Sequence, residues 1–259
     1  VIDLSTLFSL QGRTALVTGG SRGIGRMIAE GFLRAGARVY ISARKAAACE
    51  ATAAELSALG PCVALPADVS TADGIAALVA AYEAHEGQRL DILVNNAGAA
   101  WGAPFAEFPE AGWDKVVDLN LKTPFFLTQA LHRHLKAAAA AGAPAKVIQI
   151  ASIDGQTVNP LETYSYAASK SGLIHLTKRM ALRLIQDGIV VNAICPGAFA
   201  SEMNRAARDE AAAVAARIPA HRIGEDPDMA AAAIYLASRA GDYVVGTALT
   251  VDGGVNLVR

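Results

Sequence analysis

The sequence predicts a doubly wound α/β fold of Rossmann type: a single domain over residues 1–259, built on a seven-stranded parallel sheet with helices on both faces. Three observations predict it. Short runs rich in β-branched residues alternate with longer stretches of helical period, a glycine-rich turn joins the first strand to the first helix, and no segment is long or polar enough to act as a linker.

The first strand is expected at 14–17. Ile24, Met27, Ile28, Gly31, Phe32 and Ala35 then recur at helical spacing, and Gly36 closes that helix. Further strands are expected at 38–42, 62–65, 91–95, 146–151, 189–194 and 247–251, with helical segments at about 46–59, 72–86, 112–140, 164–186 and 228–238. The alanine-rich run 137–145 reads as a helix end, with Gly142 and Pro144 turning the chain into the fifth strand. Residues 198–227 lack strand character and follow the sixth strand at the carboxyl edge, where ligands bind in this architecture. They are expected to form a substrate lid. There, Met203, Ala206, Ala207, Ala211, Val214 and Ile218 would make one apolar helix face, favouring an acyl or alkyl chain over a sugar.

With 53% hydrophobic residues, a chain this long builds its core without disulfide or metal staples. Lys+Arg 23 against Asp+Glu 24 leaves a net charge of -1, which argues against a nucleic-acid-binding module. The mean hydropathy of +0.31 is inflated by alanine. Every apolar stretch is cut by Gly, Pro or charge short of the ~18 residues that a spanning helix needs, so no membrane partner is expected. Cys49, Cys62 and Cys195 are an odd set without CxxC spacing, which points to a reducing compartment and a cytoplasmic protein. Val1-Ile2-Asp3-Leu4 carries neither the basic nor the apolar region of a secretory signal, and a first residue other than Met leaves room for a trimmed segment.

The turn Thr18-Gly19-Gly20-Ser21-Arg22-Gly23-Ile24-Gly25 follows the first strand and opens the first helix. Glycines there allow a tight turn and let a pyrophosphate approach a helix N-terminus whose N–H groups are free. Gly19, Ser21, Arg22, Gly23, Ile24 and Gly25 are therefore candidate cofactor ligands; the alternative is that the glycines serve only helix–strand packing. An NAD site offers a carboxylate at the end of the second strand, whereas here the chain reads Ala43-Arg44-Lys45. Arg44, joined by Arg22, would form a cationic pocket for the 2′-phosphate of NADP; otherwise both are solvated surface charges. Asp68 and Val69 are candidates for the adenine, with Asp68 alternatively a helix cap.

Tyr166 and Lys170 lie four apart on one helix face. At about 6 Å and an effective dielectric of about 20, an ammonium favours a phenolate by roughly 3 kcal/mol, so the phenol is expected below its usual range. Tyr164 has Ala168 at the corresponding position and lacks such a partner. The five histidines form no HExxH, and no metal site is expected. Cys195 reads as a packed thiol, and Trp101 reads equally as cleft lining or as packing.

Asn95-Asn96-Ala97-Gly98 ends the fourth strand, Ser152 the fifth and Pro196-Gly197 the sixth. With Asn120 and Tyr166-x-x-x-Lys170, these motifs resemble the short-chain dehydrogenase/reductase family over nearly the whole chain. Arg222-Ile223-Gly224-Glu225-Asp226-Pro227 and Val251-Asp252-Gly253-Gly254 resemble its 3-oxoacyl-thioester (β-ketoacyl) reductases, the rhamnolipid-linked branch included.

The resemblance implies that Tyr166 protonates the carbonyl oxygen, that Ser152 hydrogen-bonds it, and that Lys170 lowers the Tyr166 pKa and binds the nicotinamide ribose. Asn120 would position a water linking Lys170 to solvent. Asn95, Ala97, Gly98, Pro196, Gly197 and Ser201 would complete the NADP site, Ser201 standing where the family has a threonine. A homotetramer is also implied, and the helix of the catalytic pair carries a second apolar stripe, Ile174, Ala181 and Ile185, beside Leu173, Leu176, Met180 and Leu184.

The expected activity is NADPH-dependent reduction of a 3-oxoacyl or similar ketone. The alternatives are a sugar, polyol or other secondary-alcohol dehydrogenase and a non-catalytic dinucleotide sensor. An acyl carrier protein is a possible partner, but its basic docking patch is not evident at Ala137-Ala138-Ala139-Ala140 or Gln186-Asp187.

Overall fold

Strands and helices alternate in the order that the hydrophobic pattern predicts. The structure is a computed structural model that describes residues 3–140 and 143–258, so Gly142, assigned to the turn before the fifth strand, lies outside the described residues. After a short helix α1 (Leu4–Leu7) come β1 (Thr14–Thr18), α2 (Gly23–Arg34), β2 (Arg38–Ser42), α3 (Ala46–Leu56), β3 (Cys62–Ala64), α4 (Ala72–Glu86) and β4 (Ile92–Asn95). The chain continues through α5 (Glu110–Val117), α6 (Thr123–Ala130), α7 (His132–Ala139), β5 (Ala145–Ile150), α8 (Tyr164–Leu184) and β6 (Ile189–Pro196). It ends with α9 (Arg205–Asp209), α10 (Ala211–Ala215), α11 (Asp226–Ala237) and β7 (Ala248–Val251).

The sheet order is β3-β2-β1-β4-β5-β6-β7, and each pairing is parallel. Alternation along each strand sorts the core into two layers. Ala15, Val17, Val39, Ile41 and Ile148 face α2, α3 and α11, through Ile28, Phe32, Leu56 and Met229. Leu16, Tyr40, Leu93 and Val147 face α4, α6, α7 and α8, through Leu78, Leu127, Leu135 and Met180. Strand order reverses between β1 and β4, which opens a crevice at their carboxyl ends.

Three expectations need correction. The helix predicted over 112–140 is broken by a π-helical turn, Asp118–Lys122, and again at Leu131. The last helix starts at Asp226, two residues early, because Pro227 is tolerated in a first turn and Glu225 with Asp228 forms a reciprocal cap. The segment 198–227 is not one helix: Glu210, at φ -129 and ψ 41, separates α9 from α10. Its stripe is split accordingly, with Ala207 and Ile218 buried and Met203 exposed.

Candidate active site

Five strand ends meet at the crevice. The turn after β1 passes through Gly19 at φ +65, a left-handed conformation that favours glycine. A Cβ on Gly25 would lie 2.3 Å from the Gly19 carbonyl oxygen, so the first turn of α2 seats directly on this loop. Asn96 braces it from β4: its side-chain amide donates to the carbonyls of Thr18 at 2.9 Å and Gly19 at 3.2 Å, while the N–H groups of Asn96 and Ala97 donate to Thr18 Oγ1. Ser21 is tied down as well, its carbonyl accepting from Thr52 Oγ1 at 2.9 Å. Ile24 packs against the core at the start of α2.

Asn96 was absent from the sequence-derived candidates, which named Asn95. The Asn95 side chain turns the other way and donates to Thr128 Oγ1 at 3.1 Å, so any cofactor contact from Asn95 falls to its main chain. Both stand in the same strand-end motif, and successive side chains on a strand point to opposite sides.

The N–H of Gly20 donates to the Ser42 carbonyl at 3.2 Å, which brings the glycine loop against the end of β2. Arg22, Arg44 and Lys45 gather at this corner, all exposed, and none is ion-paired among the described residues. An arginine-lined corner beside a cradle that a Cβ would fill suits the 2′-phosphate and pyrophosphate of NADP. Val69 is buried, and its carbonyl accepts from Thr123 Oγ1 at 2.7 Å. Asp68 is not the cap of α4. Its Oδ1 accepts from the N–H and hydroxyl of Ser70, and Thr71 caps the helix by accepting from Gly74 N at 3.0 Å.

At the other end of the crevice, Ser152 follows β5 and accepts from the Asp154 N–H at 3.1 Å. Tyr166 stands in the first turn of α8, with Lys170 one turn later. The Lys170 ammonium donates to the Ile150 carbonyl at 2.6 Å and lies 5.6 Å from the centre of the Tyr166 ring. The expected lowering of the phenol by Lys170 does not occur. Burial pushes Tyr166 up to about 12, against the opposing pull of a hydrogen bond with Ser152, and the charge of Asp154 adds to the rise. Burial also brings Lys170 down to about 8. Desolvation is the largest cause in both shifts.

Asn120 sits within the π-helical turn, and its side chain is fully engaged. Its Oδ1 accepts from Ala99 N at 2.8 Å, and its Nδ2 donates to the Ala99 carbonyl at 2.9 Å and to Ser169 Oγ at 3.1 Å. Its side chain thus has no donor left for the water that it is expected to position, and a π turn of this kind is common at functional sites. Gly98 stands between Asn120 and Lys170: a Cβ there would lie 3.2 Å from Asn120 Oδ1 and 3.9 Å from Lys170 Nζ. Pro196 ends β6, and the Gly197 N–H donates to Val251 O at 2.9 Å. Ser201 reaches back over the glycine loop, its Cβ 3.2 Å from where a Gly23 Cβ would stand, and its Oγ accepts from Asn204 N. Cys195 is a buried thiol raised by burial to about 11. Trp101 is a packing residue, its ring pressed onto Gly112 and covered by the Lys115 ammonium at 5.2 Å.

A phenol and an ammonium facing a glycine cradle across one crevice are the parts of a dinucleotide-dependent oxidoreductase, and the chain belongs to the short-chain dehydrogenase/reductase family. The family described as Enoyl-(Acyl carrier protein) reductase matches residues 19–256. The Rhamnolipids biosynthesis 3-oxoacyl-[acyl-carrier-protein] reductase of Pseudomonas aeruginosa is 47% identical over 253 residues, which is 96% of this chain and 98% of that protein. Among solved structures, the Pseudomonas aeruginosa RhlG/NADP active-site complex superposes with a TM-score of 0.92 at 47% identity, over 96% of this chain and 98% of that one. A gluconate 5-dehydrogenase from Burkholderia cenocepacia, in complex with NADP and tartrate, gives 0.90 at 35% identity over 98% and 99%.

Proposed function

We propose that the protein is an NADPH-dependent carbonyl reductase that converts a 3-oxoacyl thioester or similar ketone to a secondary alcohol. Buried Ser152 at the end of β5, with half-buried Tyr166 and buried Lys170 on the first turns of α8, across the crevice from the glycine cradle, carry this reading. Similarity to NADP complexes supports the cofactor, and the family match over most of the chain supports a single domain.

When bound, NADPH supplies the hydride. Gly19, Gly23 and Gly25 leave room for its pyrophosphate, with Arg22 and Arg44 at the adenosine phosphate. Tyr166, protonated at neutral pH, gives its proton to the carbonyl oxygen as the carbon takes the hydride. Ser152 accepts a hydrogen bond from the Asp154 N–H and bonds to Tyr166, so its hydroxyl sits beside the proton donor and would turn to donate to that same oxygen. Lys170 offsets the phenolate that remains.

The pH dependence follows. Lys170 loses its charge as pH rises through about 8, whereas Tyr166 keeps its proton over that range. The kcat/KM for ketone reduction should be level below pH 8 and fall above it. A profile flat to pH 10 would contradict the assignment of Lys170.

Charge favours an acyl substrate over a sugar acid. Asp154 acts on Tyr166, and Glu162 stands in the same loop, so a carboxylate would meet like charge. Two arginines of the lid are already committed, Arg208 to Glu202 and Asp209, and Arg222 to Asp228. The second reading, a polyol or sugar-acid dehydrogenase, draws on the likeness to gluconate 5-dehydrogenase. A carrier-bound substrate has less support: Asp187 pairs with Lys136 at 3.0 Å, His132 at 3.0 Å and Arg183 at 2.8 Å, which uses the basic groups near those helix ends. NADPH oxidation measured over carrier-linked thioesters, CoA thioesters, simple ketones and keto-sugars tests these readings. Turnover confined to keto-sugars would decide for the second.

A homotetramer and a cytoplasmic location complete the proposal. Among the described residues no helix is long and apolar enough to cross a membrane. On α8 the second stripe is only partly outward: Ala181 is buried, while Leu182 and Ile185 are exposed, as are Phe125 and Phe126 on α6. Such surface calls for a partner copy. Light scattering should give about four times 26.7 kDa; a stable monomer at micromolar concentration would reject it.

A further inference from the structure

The loops that leave β4 and β5 are fastened to each other beside the catalytic helix, and one residue, Glu162, supplies both a side-chain and a main-chain acceptor to the fastening. Glu162 Oε1 accepts from the Tyr164 hydroxyl at 2.9 Å and from the Phe105 N–H at 3.1 Å. The Glu162 carbonyl accepts from Ala103 N at 3.3 Å. Above these bonds, Tyr164 makes edge contacts with Phe105 and Phe108, each with ring centres 5.6 Å apart, and Phe108 continues to Trp113 at 6.4 Å. Four aromatic rings, two from the loop after β4 and one each from α5 and α8, thus form one ledge, with Tyr164 two residues ahead of Tyr166.

The ledge is open to solvent at Phe105, which is 77% exposed. Leu161 and Val158, in the same loop as Glu162, are 69% and 90% exposed. Apolar surface of this extent, continuous with the first turn of the helix that bears Tyr166, suits part of a substrate whose ketone reaches that residue. The carboxylate of Glu162 disfavours an anionic headgroup here, and the exposed side chains of Phe105, Leu161 and Val158 offer no hydrogen-bond partner to a sugar's hydroxyls. A hydrocarbon tail needs neither.

We propose that Glu162 is a positioning residue, which clamps the loops after β4 and β5 so that the Phe105–Tyr164–Phe108 ledge receives the hydrocarbon tail of the acyl substrate. This rests on the acyl reading above and adds to it the residues that read chain length. In the clamp itself Glu162 acts as an acceptor of two hydrogen bonds, which the amide oxygen of glutamine can also accept.

The test compares acetoacetyl-CoA with 3-oxooctanoyl-CoA in the intact enzyme with NADPH. The parent should favour the longer thioester. Glu162→Ala should lower the long-to-short ratio of kcat/KM about tenfold, the worth of roughly two buried methylenes, and through KM rather than kcat. Phe105→Ala should lower the ratio in the same sense, and Glu162→Gln should restore most of what Glu162→Ala loses. A parent that prefers the longer thioester while Glu162→Ala and Phe105→Ala keep its ratio would overturn the ledge and leave the acyl reading standing. An equal fall on both thioesters, or a glutamine variant as poor as the alanine one, would overturn the clamp. A parent inactive on both thioesters would remove the acyl reading itself.

Discussion

Tyr166→Phe should reduce kcat for ketone reduction by about 10²–10⁴-fold, the range over which a positioned general acid acts, while NADPH binding followed by fluorescence persists. The substitution removes one hydroxyl from a half-buried ring and leaves the cradle around Gly19 and Gly25 untouched. Burial holds the phenol near 12, so the native side chain enters the reaction as an acid with its proton in place, and phenylalanine has none to give. Lys170→Ala should damage both turnover and cofactor binding, because the ammonium is assigned to the ribose as well as to the phenolate. Retention of more than a few per cent of the parent rate in Tyr166→Phe would show that another group delivers the proton.

The second large effect concerns the cofactor's phosphate. NADPH should bind at least about tenfold more tightly than NADH, since a hydrogen bond to a charged group contributes about 1.5–3 kcal/mol and each 1.4 kcal/mol is tenfold. Arg44→Asp should reverse much of that preference: it removes a cation that no carboxylate among the described residues pairs with and installs the acid that a ribose diol prefers. Titration of both nucleotides against both proteins is the measurement. Equal affinities in the parent would mean that Arg22 and Arg44 are solvated surface charges.

The sheet and the crevice were legible because buried parallel strands read as apolar runs and because a strand–glycine turn–helix has few other physical solutions. Side-chain direction was less legible. Asn95 and Asn96 are neighbours in one motif, yet only Asn96 faces the glycine loop, and which of the two does so depends on strand register. The interruption at Asp118–Lys122 was hidden because a π turn uses the same residue types as the α turns around it. The break at Glu210 was hidden because alanines lie on both sides of it. The direction of the Tyr166 shift was misjudged for a different reason: spacing supplies the attraction of Lys170, whereas desolvation comes from parts of the chain far away in sequence.

The π turn also works as a gear between the reaction centre and the outer surface. One residue in an α-helix advances the chain by about 1.5 Å and turns it by about 100°. Deleting a single residue within 118–122 would relax the turn to ordinary helix and rotate everything after it by that angle. Asn120 would leave Ala99 and Ser169, and in the same movement Phe125 and Phe126 would swing to a different side of the molecule. The placing of Asn120 and the direction in which Phe125 and Phe126 point are therefore set by one phase angle, and neither can be re-tuned along this helix without shifting the other.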